Sequence, residues 1–190
     1  MSLELRTITD DEFPLWAHTL DRAFGNHLDD EEIERYHRVS EIDRAIAVFD
    51  RDQIVATAGA NSFELTVPGN LQVRAAGVTG VSVRASHRRR GLLRRLMEHQ
   101  LDDIAARGEP VAILTASEAA IYGRFGYGLS SLHAQLAIDT DRAAYRQPFT
   151  AAGRFRETDA DGARKAFPQI HERARRATPG DINRPDAWWD

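Results

Sequence analysis

Apolar side chains at Leu92, Leu93, Leu96, Met97, Leu101, Ile104 and Ala105 recur mostly at intervals of three and four. That spacing lines one face of an α-helix, and it predicts a helix from Gly91 to a glycine stop at Arg107-Gly108. Ahead of it, a Val- and Ala-rich run over residues 71–83 predicts a strand. Residues 45–49 and 54–65 alternate as strands around an Asp50-Arg51-Asp52 turn, and Val67-Pro68-Gly69 breaks the next connection. Nearer the N-terminus, residues 3–8 predict a short strand. Phe13, Trp16, Leu20 and Phe24 predict a helix with Asp10 and Asp11 placed to cap it, and residues 31–39 a second, more polar helix. After the central helix, residues 111–115 form a short apolar run of the kind a buried parallel strand shows. Ser117 is placed to cap a brief helix ending near Arg124, with strands expected around residues 129–138. The pattern changes from about Asp139. A strand at 154–156 and a helix over 159–176, interrupted by Pro168, are expected there. The result is a mixed α/β chain without internal repeats or low-complexity tracts.

Composition narrows the function classes more than the fold. In 190 residues, 42% hydrophobic and 28% charged content is ordinary for a globular domain. A net charge of −4 and a pI near 6.0 argue against a nucleic-acid partner, whose footprint is usually basic. With no cysteine, disulfides, thiol catalysis and Cys-type zinc sites are excluded. That suits a cytoplasmic location. His18, His27, His37, His99, His133 and His171 show no metal-ligand spacing, so no metal is expected. Residues 1–13 are polar and acidic without an apolar signal core, and no stretch has the length of a membrane span.

The charge that matters is local. Arg88, Arg89 and Arg90 directly precede the helix that starts at Gly91. A helix N-terminus already carries partial positive charge, so three arginines there are unfavourable unless an anion lies between them. Free backbone N–H groups plus arginines make a phosphate site, and a glycine lets the backbone approach it closely. A Walker loop would need Lys-Ser/Thr after its second glycine, and a dinucleotide fingerprint three glycines; neither is present. The plain alternative is a solvated basic helix start.

Arg88, Gly91 and Leu93 occupy the defined places of a loop that resembles the pyrophosphate loop of the GNAT acetyltransferases, Gln/Arg-x-x-Gly-x-Gly/Ala. Leu93 departs from the usual small residue. Residues 117–128, with a tyrosine ahead of a Gly-aromatic pair, resemble a later GNAT element. The strings HRRRGLLR (87–94), IYGRFGYG (121–128) and LTVPG (65–69) resemble the Eis, or enhanced intracellular survival, N-acetyltransferases. This resemblance implies a GNAT acyl-CoA N-acyltransferase fold, a mixed twisted sheet flanked by helices over residues 1–138. Residues 139–190 would be a linker and the beginning of a second GNAT-like domain, with the chain an incomplete copy. Two tryptophans close to the C-terminus, Trp188 and Trp189, fit that expectation, because such apolar surface normally needs burial. The alternative is that they tuck back onto the first domain.

The resemblance also implies roles. Acetyl-CoA is the expected donor. Arg88, Arg89, Arg90, Gly91, Leu92, Leu93 and Arg94 would hold its pyrophosphate, with Ser117 and Glu118 as further contacts. Main-chain N–H groups of Val81, Ser82 and Val83 would polarise the thioester carbonyl, while the Val81 and Val83 side chains serve the core. Tyr122, protonated at neutral pH, would protonate the departing thiolate; the alternative is packing against Phe125. Asn26 and Tyr36 fall where the family forms its acceptor pocket, while Asp29 to Glu32 read as a helix N-terminal acid cluster. The family's base is a C-terminal carboxylate; Glu118 and His87 are the nearest substitutes in sequence. Without cysteine, the acceptor amine, on an aminoglycoside, a polyamine or a lysine side chain, would attack directly in a ternary complex. Homo-oligomers, hexamers by resemblance, are expected. The rival expectation is a non-catalytic acyl-CoA-binding or assembly module.

Overall fold

The computed structural model describes residues 3–132, 134–148 and 150–189. His133 and the terminal Asp190 lie outside the described residues. Strands β1 (Glu4–Thr7), β2 (Ile46–Asp50), β3 (Gln53–Val67), β4 (Leu71–Val83) and β5 (Val111–Ile113) form one sheet in sequence order. The first four run antiparallel to their neighbours and β5 is parallel to β4, so the sheet is mixed. The long β3–β4 hairpin pairs Val67 with Leu71 across a turn in which Gly69 (φ 88°) and Asn70 (φ 58°) take left-handed backbone, as a tight reversal requires.

Helices α1 (Phe13–Phe24) and α2 (Asp30–Arg38) cover one face and α3 (Leu92–Ala106) the other. The period of two along β2 divides its side chains between them. Ala47 and Phe49, with Ala45 just ahead of the strand, pack with Phe13, Trp16 and Ile33, whereas Ile46 and Val48 pack with Leu92 and Leu96. Both faces are covered, which is why β2 reads as a continuous apolar run. One buried ion pair ties these layers together: Arg44 holds Glu109 at 2.6 and 2.8 Å and also donates to Ser62 Oγ at 2.8 Å.

Several boundaries differ from expectation, each for a local reason. Asp10 and Asp11 do not cap α1; they lie in a 3₁₀ turn, and Glu12 accepts from the Thr9 N–H at 2.9 Å. The Asp10 carboxylate instead meets His37 at 2.9 Å. Asp29 and Glu32 bond each other's backbone N–H groups, so this pair of acids caps α2. β5 is parallel, as expected, but not buried: Val111 is 38% exposed at the edge of the sheet. Among the described residues of 129–138 and 154–156 no strand forms, and Leu132, Leu136 and Phe155 are exposed. Alternation alone does not make a strand without a partner edge. Pro168 does not interrupt α4 (Ala160–Arg175), which starts at an Asp159 cap accepting from Gly162 N–H at 2.8 Å.

The C-terminal residues fold back. Gly180 N–H donates to Thr66 O at 2.8 Å and Thr66 N–H to Asp181 O at 2.9 Å, extending the sheet beside the outer half of β3. Arg175 reaches Glu64 at 2.7 Å, and the Trp188 ring lies edge-on to Phe63 at 5.3 Å. Trp188 is therefore partly covered by the first sheet, while Trp189 lies near His171 and under Arg184.

Candidate active site

The site begins where two strands part. β4 pairs with β5 only over Ala75, Ala76 and Gly77. From Val78 onward β4 has no strand on that side among the described residues, so the main-chain groups that point away from β3 have no ladder partner there. The β3–β4 register also slips between Thr57 and Gly59, opposite Gly80, which adopts φ 61°. This is a β-bulge: one extra residue, a bend and stronger twist. Neighbouring groups pin it. Thr57 Oγ1 donates to Gly80 O at 2.7 Å. That uses its single proton, so Ser82 Oγ is the donor in the 2.8 Å contact with Thr57 Oγ1. From α3, Gln100 Nε2 reaches Gly59 O at 2.8 Å. Val81 and Val83 pack on the core with their side chains, and Ser82 is 7% exposed.

A groove of about 720 Å³ runs from this bulge to the start of α3. Val81, Ser82 and Val83 line it on one side; Arg88, Arg89, Gly91, Leu92, Leu93 and Arg94 line it on another. Gly91 is the N-cap of α3 at φ 77°, and Arg89 also takes left-handed backbone at φ 61°. An arginine in that conformation is uncommon, and such strain clusters at ligand-binding segments. No acid occupies the first turn of α3, so its free N–H groups face the groove uncompensated. The loop root is held by His87, whose Nε2 meets Asp50 at 3.2 Å and whose Nδ1 meets Ser86 at 2.9 Å. Arg90 lines neither cavity.

Tyr122 closes the other end. It belongs to the 3₁₀ segment Ala119–Phe125, whose N-cap is Glu118; Ser117 makes no cap there. Gly126, at φ 89°, reverses the chain so that Tyr127 returns edge-on to Tyr122 with ring centroids 5.8 Å apart. Burial first, and the Glu118 carboxylate second, raise the Tyr122 hydroxyl above the ordinary tyrosine pKa. Burial, then the proximity of Tyr122, pushes Tyr127 up to about 12, and its buried hydroxyl has no hydrogen-bond partner among the described residues. Both phenols are therefore neutral at physiological pH.

A second cavity, about 330 Å³, adjoins this groove between β4 and the residues that follow β5. Val78 to Val81 and Leu114, Thr115, Ser117 and Glu118 line it. Tyr122, Glu118 and Ser117 line both cavities, together with Val81, Ile121 and Phe24 from the end of α1. Asn26 and Tyr36 line neither. Asn26 is exposed after the α1 stop, its N–H bonded to Asp21 O at 3.1 Å. Tyr36 packs on Phe13 and Trp16; burial raises its hydroxyl pKa, partly offset by the neighbouring Thr79 hydroxyl. It stands behind Thr79, which does line the smaller cavity.

Thr79 and Thr115 were not singled out in the sequence because nothing local marks them, and Phe24 was read there only as part of a helix face. Gly80 did carry a signal: an isolated glycine within the strand Gly-Val-Thr-Gly-Val-Ser-Val points to a bulge. Among the described residues no cluster of His, Asp or Glu could hold a metal ion, and no helix is long and apolar enough to cross a membrane.

Residues 4–130 match the family described as "Acetyltransferase (GNAT) domain". The chain is 43% identical to an uncharacterized N-acetyltransferase, SCO2625, of Streptomyces coelicolor, over 99% of this chain and 47% of that protein. It is 33% identical to N-acetyltransferase Eis of Mycobacterium tuberculosis, over the whole of this chain and 49% of the relative. Among solved structures it is similar to Eis1 from Mycobacterium abscessus, with a TM-score of 0.82 and 34% identity over 98% of this chain and 46% of that one. The chain thus spans less than half the length of these relatives.

Proposed function

Because the chain belongs to the GNAT acetyltransferase family and is similar to the Eis enzymes within it, we propose that it transfers acetyl from acetyl-CoA to a primary amine. The acceptor classes are aminoglycosides, polyamines and lysine side chains. The observation that carries this is that Tyr122 lines both an arginine-lined groove and an adjoining smaller cavity without arginine.

The geometry supports a role for each group. Arg88, Arg89 and Arg94, with the free N–H groups at the start of α3, offer charge-assisted hydrogen bonds to a pyrophosphate. Within Val81 to Val83, the main-chain N–H groups that point away from β3 offer donors to a developing oxyanion. Tyr122, kept protonated by its surroundings, gives its hydroxyl proton to the departing thiolate. The amine attacks directly, since there is no cysteine to carry the acetyl group. His87 lines the groove rather than the smaller cavity and is bonded to Asp50, so it serves the loop and not the acceptor. Assembly into homo-oligomers belongs to the same proposal and rests on the family resemblance.

Release of CoA thiol reads the reaction directly, and a chain without cysteine adds no background to a thiol-reactive dye. The protein should release thiol with a panel of primary amines. Tyr122→Phe keeps the ring and removes the hydroxyl, so kcat should fall by about 10²–10⁴-fold with the acetyl-CoA Kd little changed. Acetyl-CoA binding without turnover on any amine would point instead to a non-catalytic acyl-CoA-binding module.

A further inference from the structure

The connection from β4 to α3 is held from the side by another element. Asp50 ends β2, Gln53 begins β3, and the two pair across the turn Arg51-Asp52. Both side chains reach the connection. Gln53 Oε1 accepts from an Arg84 guanidinium N–H at 3.1 Å, and Asp50 Oδ2 meets His87 Nε2 at 3.2 Å. The Arg84 N–H also donates to Val55 O at 2.9 Å. On charge alone an acid is out of place here. Asp50 stands against His87, which lines a groove carrying Arg88, Arg89, Arg94 and Arg124, and a carboxylate repels the anion such a groove attracts. Asp50 itself lines neither cavity.

What the acid does is orient the ring. An ionised carboxylate only accepts, so His87 Nε2 carries the proton that points at it. In the neutral ring Nδ1 then accepts from the Ser86 hydroxyl at 2.9 Å; in the charged ring Nδ1 donates to the same oxygen. Both nitrogens are occupied either way, and the side chain is only 15% exposed. The His87 main chain is fixed as well, its N–H donating to Arg84 O at 2.9 Å. Two residues later Arg89 takes left-handed backbone at φ 61°, followed by Gly91 at φ 77°. A non-glycine residue persists in that conformation only where its surroundings impose it.

We propose that Asp50 is a positioning residue for the cofactor: the tip of the β2–β3 hairpin, acting through His87, holds the arginine loop in the conformation that receives a pyrophosphate. This rests on the acetyl-CoA reading given above and adds to it a residue outside the groove. A loop held in its binding conformation has less freedom to lose when the ligand arrives. Releasing it therefore costs affinity for the phosphate part of the ligand. The thiol arm, which runs towards Tyr122, does not depend on the hairpin.

Titration calorimetry of the full chain with CoA tests this without turnover. Asp50→Ala should weaken CoA binding about tenfold, the scale of one hydrogen bond to a charged group. Asp50→Asn keeps an acceptor for the His87 proton and should stay within about threefold of wild type. In a His87→Ala background, Asp50→Ala should cost less than about twofold more, because its route to the loop is gone. Pantetheine has the thiol arm and no pyrophosphate. Its affinity, read by competition against CoA, should be the same in wild type and Asp50→Ala. Unchanged CoA affinity in Asp50→Ala, an Asp50→Asn protein as weak as Asp50→Ala, additive losses with His87→Ala, or equal losses for CoA and pantetheine would each overturn the proposal. Wild-type CoA binding in those cases leaves the acetyl-transfer reading standing, whereas a wild type that binds no CoA overturns both.

Discussion

Replacing Gly80 by alanine tests whether the bulge in β4 is built by backbone conformation and by Trp16 together. Gly80 has φ 61°, and a left-handed conformation costs an L-residue roughly 1–2 kcal/mol. An added Cβ would lie 2.5 Å from Trp16 Cη2 and 2.9 Å from Cζ2. The Trp16 ring cannot move aside easily: it is 2% exposed, and its Nε1 donates to Ile46 O at 3.0 Å. Overpacking such a site typically costs about 1–3 kcal/mol. The sum is roughly 2–5 kcal/mol. With a urea m-value of about 2 kcal/mol/M, the midpoint should fall by roughly 1–2.5 M. Gly59→Ala is the control, because its Cβ would meet the same ring at an ordinary 3.4 Å without left-handed backbone. Trp16→Phe removes the atoms that clash, so in a double-mutant cycle it should recover the packing share and leave the backbone share. A Gly80→Ala protein no less stable than Gly59→Ala would refute this account of the bulge.

Two further outcomes follow from the same geometry. Arg89→Ala removes one charged donor from the groove, worth about 1.5–3 kcal/mol, so acetyl-CoA should bind roughly tenfold to over a hundredfold more weakly. Wild-type affinity should also fall more steeply with salt than the variant's, as titration calorimetry at several ionic strengths would show. The Glu12 carboxyl is held at about 2, first by the Arg6 guanidinium and then by the Thr9 N–H. A depressed acid adds stability that is present above its unfolded value and lost as pH falls through the folded one. Thermal unfolding should therefore show Glu12→Gln less stable than wild type at pH 6, with the gap narrowing from about pH 5 downward.

What the sequence made legible was local chemistry and period. The α3 stripe was visible because its apolar face is buried, and the hairpin of 45–49 and 54–65 because residues 46–49 and 54–60 are buried on both faces; the strand over 71–83 is only partly buried and was visible through its Val and Ala content. The arginine loop was visible because three like charges at a helix start conflict with the helix dipole unless an anion is present. Other features depended on partners that sequence order does not name. The parting of β4 from β5 depends on how far three residues of edge strand reach. Thr79 and Thr115 become cavity walls only because of that parting. Residues 129–138 alternate like a strand, but their pattern gives no edge to pair with. Tyr36 looked available as an aromatic near an acidic run, yet α2 turns it towards Phe13 and Trp16. The Thr9–Glu12 cap escaped notice because two other acids, Asp10 and Asp11, stood between its members.

The central claim is that Tyr122 separates a cofactor groove from an acceptor cavity, and a crystal structure with bound CoA tests it most directly. The pyrophosphate should lie on residues 88–94 at the start of α3, and the sulfur should reach the gap between β4 and β5 within hydrogen-bonding distance of the Tyr122 hydroxyl. A pyrophosphate bound away from the arginines, or a sulfur directed away from Tyr122, would contradict it.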